Sequence, residues 1–267
     1  MRFSRVFAIV LRQLYLMRGS LSRIFPLFVW VAIDMVLWGF ISKYLNTVSA
    51  SGFNFVPVFL GAVLLWDFFT RVMQGVTMAF FEDVWSRNFL NLFATPLSIT
   101  EYICGLVLCT VWSCIVGLVI MLILATVVFG LSFLSYGIAL VPFLGILFLT
   151  GIAIGVFACA AVLRFGPSAE WFVWPIPAVL APFTGVFYPL STLPKWMQTV
   201  ARALPPSYVF EGLRSVAGHQ GFSGIGLAEG IVLAILYVGL SCWLFTRVYQ
   251  RALRSGLIAR YSAETVS

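Results

Sequence analysis

VPVFLGAVLLWDFFTRVMQGVTMAF, residues 56–80, carries only two charged side chains, Asp67 and Arg71, and gives way to FEDVWSRNFLNLFATPLS at 81–98. At about 1.5 Å of rise per residue, a helix over the first stretch crosses the roughly 30 Å of bilayer hydrocarbon. Its apolar residues do not alternate, so a barrel strand is excluded and a helix is expected. The second stretch breaks the run with charges, Asn88, Asn91 and Pro96. The two stretches together form a membrane span that ends in a polar connection.

The rest of the chain agrees. Hydrophobic residues make up 62% and charged residues 9% of the 267, with a mean hydropathy of +1.06. That leaves too little polar surface for a water-soluble globule. Apolar runs predict six spans, approximately 24–45, 56–80, 102–129, 137–163, 171–190 and 228–247. The fifth contains Pro175, Pro177, Pro182 and Pro189 and should be kinked or broken. Ahead of them, residues 1–23 form a separate unit. Phe3, Val6, Phe7, Val10, Leu11, Leu14 and Met17 share one helical face, and Arg2, Ser4, Arg5, Arg12 and Gln13 the other. This is the pattern of an amphipathic helix lying in the membrane interface. A cleaved signal peptide fits less well, because the basic region before the apolar run is too long.

Orientation follows from arginine and lysine, which are retained on the cytoplasmic side. With the N-terminus inside, twelve fall to the cytoplasm (Arg2, Arg5, Arg12, Arg18, Arg23, Arg71, Arg87, Arg164, Arg247, Arg251, Arg254 and Arg260) and four outside (Lys43, Lys195, Arg202 and Arg214). Residues 24–267 thus read as one all-α polytopic domain with both termini cytoplasmic. The connection after span two is cytoplasmic, and residues 191–227 form a long outer segment. There Trp196, Met197, Val200, Ala203 and Leu204, then Tyr208, Gly212, Leu213 and Val216, recur at helical spacing. Two short interfacial or re-entrant helices are expected.

The candidate chemistry is sparse. Asp67 and Arg71 lie one turn apart within span two, and the reading pairs them, either as a gate or as an ion pair that lowers insertion cost. Asp34, mid-way along span one, has no local partner and should face another helix or water. Glu82-Asp83 read as an exposed charged face, since neighbours on a helix diverge by about 100°. The lysines Lys43 and Lys195 follow Ser42 and Pro194, so no GxxxxGK[ST] phosphate loop exists and any ATP must be hydrolysed by another chain. The five cysteines lie in apolar runs without CxxC spacing, and His219 is the only histidine. No metal site, disulfide framework or catalytic constellation is indicated. The net charge of +7 reflects topology, because the arginines form no basic patch suited to nucleic acid.

Nearly the whole chain resembles the permease family of ABC-2 type exporters. The resemblance rests on LGAVLLWDFF at 60–69, EDVWSRNFLNLFATPLS at 82–98, and GVFYPLSTLP with LPPSYVFEGLR at 185–194 and 204–214. It implies a bacterial inner-membrane permease that pairs with a second copy and docks two cytoplasmic ABC ATPase subunits. ATP and Mg would be held by those partners, with no cofactor bound by this chain. The coupling segment is then 82–98, with Glu82, Asp83, Arg87 and Asn88 as polar contacts and Trp85, Phe89 and Leu92 as an apolar ridge. By the same resemblance the N-terminal helix touches the ATPase, and 191–216 closes an outer gate around Tyr188, Trp196, Tyr208, Glu211 and Arg214. The exported substrate would be amphipathic, lipid-linked, glycan or drug-like. A secondary transporter or channel without an ATPase is the competing class; it would call for repeated halves or ionisable groups in series.

Overall fold

A computed structural model describes residues 2–18, 21–48, 55–86, 88, 91–92, 94–130, 137–218, 221 and 223–255. Arg87, Phe89, His219 and Arg260, singled out above, lie outside the described residues. The described part is all-helical. In chain order the elements are α1 (Phe3–Arg18), α2 (Leu21–Val48), α3 (Phe55–Trp85), α4 (Ile99–Phe129), α5 (Leu140–Phe165), α6 (Ile176–Thr184), α7 (Lys195–Ala203), α8 (Pro205–Ala217) and α9 (Gly224–Arg254).

Among the described residues, four stretches are long and apolar enough to cross a membrane: Val58–Trp85, Ile99–Phe129, Gly137–Phe165 and Gly224–Arg254. The helix expected across 171–190 is not one continuous element. A 3-10 turn at Pro167–Ala169 leads into a helical turn at Glu170–Val173, and α6 follows after Trp174 and Pro175. The cause is chemical, since neither Pro175 nor Pro177 has an N–H to donate. The backbone nevertheless keeps right-handed helical angles at Ala169, Glu170, Trp174 and Pro175, and turns left-handed at Gly185, where φ is +63°.

The centre of the bundle is the seam between α3 and α5, which is built from small residues. A Cβ at Gly151 would sit 2.8 Å from Val72 Cβ, and one at Gly155 would sit 3.0 Å from the Met73 carbonyl oxygen. One turn further, the Cys159 thiol points at the Val76 carbonyl at 4.0 Å. Small groups at 151, 155 and 159 let two long helices approach closely in lipid, where dispersion replaces hydrophobic driving force. α4 and α2 flank α3, α9 lies along α5, and α8 rests on both α5 and α9.

α1 faces the opposite way from a simple interfacial helix with its polar side in water. Val6, Ile9 and Gln13 are buried against the bundle, and Phe3, Phe7, Leu11 and Tyr15 point away from it. Ile9 seats on Gly105 of α4, where an added Cβ would lie 2.7 Å from Ile9 Cβ. Of the apolar stripe, Phe3, Phe7 and Leu11 stay exposed while Val6 turns inward, and arginines of the other side make the protein contacts described next.

Candidate functional site

The end of α3 nearest α1 brings together two ion pairs of the described residues, Arg12 with Asp83 and Arg5 with Glu101. Asp83 is fully buried, where the sequence reading left it exposed. Its Oδ2 accepts from Arg12 Nη1 at 3.0 Å and from the Tyr102 hydroxyl at 2.7 Å, and its Oδ1 accepts from Arg12 Nη2. A two-pronged guanidinium–carboxylate contact of this kind fixes orientation as well as charge. The hydrogen bond to Asp83 also holds the Arg12 proton more tightly, raising its pKa. Next to Tyr102 on α4, Glu101 accepts from the Arg2 backbone N–H at 2.7 Å and the Arg5 guanidinium at 3.5 Å. Glu101 also closes a capping box with Ser98, accepting from the Ser98 N–H at 3.1 Å while the Ser98 hydroxyl accepts from the Glu101 N–H at 3.2 Å. Two carboxylates thus tie α1 to α3 and α4.

A third carboxylate reaches the broken segment. Glu170 accepts from the Trp85 indole through Oε2 and from the Trp174 indole through Oε1, each at 3.1 Å. Phe80 completes the junction with edge contacts to Phe81 and to Phe245 of α9, at 6.4 and 6.2 Å between ring centroids. The last two turns of α3 therefore touch α1, α4, α9 and residues 170–174.

The polar connection begins at this junction. Asn88 donates its N–H to the Asp83 carbonyl at 3.1 Å, and its side-chain oxygen accepts from Asn91 at 3.4 Å. Glu82 is half-buried, Trp85 half-exposed, and Leu92 packs its partly buried side chain on the core.

At the opposite end, α8 holds the chain that follows α6. Arg214 donates through Nη1 to the Gly185 carbonyl at 2.7 Å and through Nη2 to Glu211 Oε1 at 3.0 Å. That same Glu211 oxygen accepts the Leu190 N–H at 2.7 Å. The Tyr188 hydroxyl returns to the Pro182 carbonyl at 2.7 Å, and Tyr208 to the Arg202 carbonyl at 2.8 Å. Trp196 is mostly exposed, with its ring edge-on to Phe183 at 6.1 Å. A cavity of about 180 Å³ opens here between Phe143, Arg202, Tyr208, Glu211 and Ser223.

Between the ends, the expected Asp67–Arg71 ion pair is not formed. Asp67 Oδ2 and Arg71 Nε are buried without a hydrogen-bond partner. Arg71 leans across to α4, where a Cβ at Gly117 would meet its Cδ at 2.8 Å. Asp34 of α2 acts electrostatically on Asp67 but has no ion-pair partner among the described residues. No group of three or more potential metal ligands occurs among the described residues.

Over residues 5–217, more than half of its length, the chain matches the family described as ABC-2 type transporter. It belongs to that family. No curated protein matches the chain. It is therefore a multi-pass membrane protein and the permease subunit of an ABC transport system, without catalytic activity of its own. Membership implies an ABC ATPase partner and a typically dimeric assembly, and the secondary-transporter reading falls away.

The structure brings Glu82, Asp83 and Trp85 together at one end of the permease and Tyr188, Glu211 and Arg214 at the other. Sequence reasoning missed Arg12, Glu101, Tyr102 and Glu170 as members of the first group. A signal was present for one of them: Ser98-x-x-Glu101 before an apolar run is a capping-box pattern. Nothing local marks the others, whose partners are distant in sequence.

Proposed function

We propose that this permease is the membrane half of a bacterial exporter that moves an amphipathic, lipid-linked, glycan or drug-like molecule out of the cytoplasm. Two copies pair in the inner membrane, and two ABC ATPase subunits, holding ATP and Mg, dock beneath residues 82–98. The α1 end is cytoplasmic, so both termini are inside, and the Tyr188–Arg214 region forms the outer gate. Six crossings fit this orientation, with α2 and the proline-broken residues 167–184 added to the four long helices. Eighteen residues at about 1.5 Å each reach some 27 Å, close to the hydrocarbon thickness.

The observation that carries the reading is the buried Asp83 junction at the root of the polar connection. A permease without a motor receives work through a contact that does not yield, and a bidentate ion pair with a third hydrogen bond is such a contact. Glu82, Asp83, Trp85, Arg87, Asn88 and Leu92 are the coupling residues in this scheme. The test uses purified permease, its ATPase, and the two reassembled in lipid nanodiscs. Permease alone should hydrolyse no ATP, and Arg87→Ala or Asn88→Ala should weaken the stimulation of the ATPase without unfolding the permease. ATP hydrolysis by the isolated permease, or an ATPase that neither binds nor responds to it, would overturn the reading.

A further inference from the structure

We propose that residues 167–190 act as a strut joining the coupling end of the permease to its outer gate, with Glu170 as the positioning residue that seats the strut on α3; this rests on the coupling reading above. The lower grip is the Trp85–Glu170 hydrogen bond, which ties the last residue of α3 to the start of the segment. The upper grip is the pair of carbonyls at Gly185 and Val186, which accept from Arg214 Nη1 at 2.7 and 3.5 Å. Glu211 adds a second hold on the Leu190 N–H.

Between these grips the segment is packed along one face only, with Val173 and Pro177 buried and Ile176 and Leu180 resting on the core. Trp171, Phe172 and Val179 are largely exposed, and the main helix contacts of α6 are with α7 and α8 at the outer end. Close-packed cores move as bodies and resist continuous deformation. A helix gripped at its ends and packed along one face can instead slide on that face as a unit. Helical angles persist through Trp174 and Pro175, and the Val179 N–H still bonds the Pro175 carbonyl at 2.9 Å. A displacement of α3 at Trp85 therefore reaches Gly185, where Arg214 and Glu211 pass it to α8.

Two tryptophans separate this role from mere stabilisation. Trp174 and Glu170 lie on the same segment, one turn apart, whereas Trp85 reaches Glu170 from α3. Losing Trp174 leaves the cross-link intact, and losing Trp85 removes it.

The test places a single cysteine at exposed Ser191 in a permease whose five native cysteines are replaced. With the ATPase in nanodiscs, labelling by a membrane-impermeant maleimide is followed with and without Mg-ATP. The parent should change its labelling rate on adding Mg-ATP. Glu170→Ala should cut that change at least fivefold while hydrolysis stays within twofold, Trp85→Phe should cut it at least fivefold when scaled to the hydrolysis that variant retains, and Trp174→Phe should keep it. Glu170→Gln, which retains one acceptor oxygen, should keep part of it. Arg214→Gln should lose the change from the other end, and adding Glu170→Ala should make it no worse, the non-additivity expected of two grips on one element. A full response in Glu170→Ala and Trp85→Phe, or equal losses from Trp85→Phe and Trp174→Phe, overturns the strut. A parent that binds and stimulates the ATPase but shows no nucleotide response overturns the strut alone. A parent that does neither overturns the coupling reading and the strut with it.

Discussion

Asp67 and Asp83 stand on the same helix about four turns apart, and their surroundings are opposite. Asp83, at the end of α3, is fully buried and its two oxygens accept three hydrogen bonds from Arg12 and Tyr102. Asp67, mid-way along α3, has a buried oxygen with no partner, and the cation one turn below leans away to α4. Local spacing favoured the second as a pair; tertiary contacts made the first one. An ion pair within a single helix only lowers its own insertion cost, whereas Asp83 joins three helices and can carry motion between them.

The largest loss is expected from stripping Asp83 of its cation. Arg12→Ala leaves the fully buried Asp83 carboxylate without its cation and should cost about 3–5 kcal/mol, read as a large fall in the thermal unfolding temperature of the detergent-solubilised permease. Replacing both partners, Asp83→Leu with Arg12→Met, should recover most of that loss, because a well-packed apolar pair avoids the desolvation cost. If the single variant is as stable as the native chain, the junction is not a structural node.

A smaller effect tests what holds α3 at the level of Asp67. Gly151→Val would drive side-chain atoms into Val72, whose Cβ already lies 2.8 Å from where a Cβ would be added. A cost of about 2 kcal/mol is expected from overpacking, measured in the same unfolding assay. No loss would mean that the seam between α3 and α5 is slack. Next comes the cap at the foot of α4. Ser98→Ala removes the oxygen that accepts from Glu101 N–H and should cost about 1 kcal/mol.

The smallest expected effect is at Asp67 itself. A double-mutant cycle with Asp67→Asn and Arg71→Gln should give a coupling below about 0.5 kcal/mol, as for residues with separate surroundings. A coupling of 1–2 kcal/mol would restore the ion pair and erase the contrast between the two aspartates.

How much of this was legible in the sequence depends on how far apart the interacting residues lie. Long apolar runs announced the helices, and the four prolines announced a break between α5 and α7. The repeating Trp196–Leu204 and Tyr208–Val216 patterns marked the stretches that became α7 and α8. Those are properties of neighbours. Arg12 and Asp83 are separated by 71 positions, Trp85 and Glu170 by 85. No periodicity encodes such pairs, so Asp83 read as surface and Glu170 did not stand out. The inward polar face of α1 was hidden for a related reason: an amphipathic pattern gives two faces but not which one meets protein. At the end opposite Asp83, Glu211 and Arg214 fell within a stretch the resemblance had marked, and their i, i+3 spacing matches the pair that forms.

If the Asp83 end of the permease receives the ATPase, site-specific photo-crosslinking in native membranes captures the contact. A photoreactive residue at Asn88, beside the junction, is compared with one at Ser191 at the opposite end. The account predicts a crosslink to an ABC ATPase from position 88 and none from position 191. An ATPase captured from position 191, or none captured from position 88 in membranes where ATPase and permease co-purify, would contradict it.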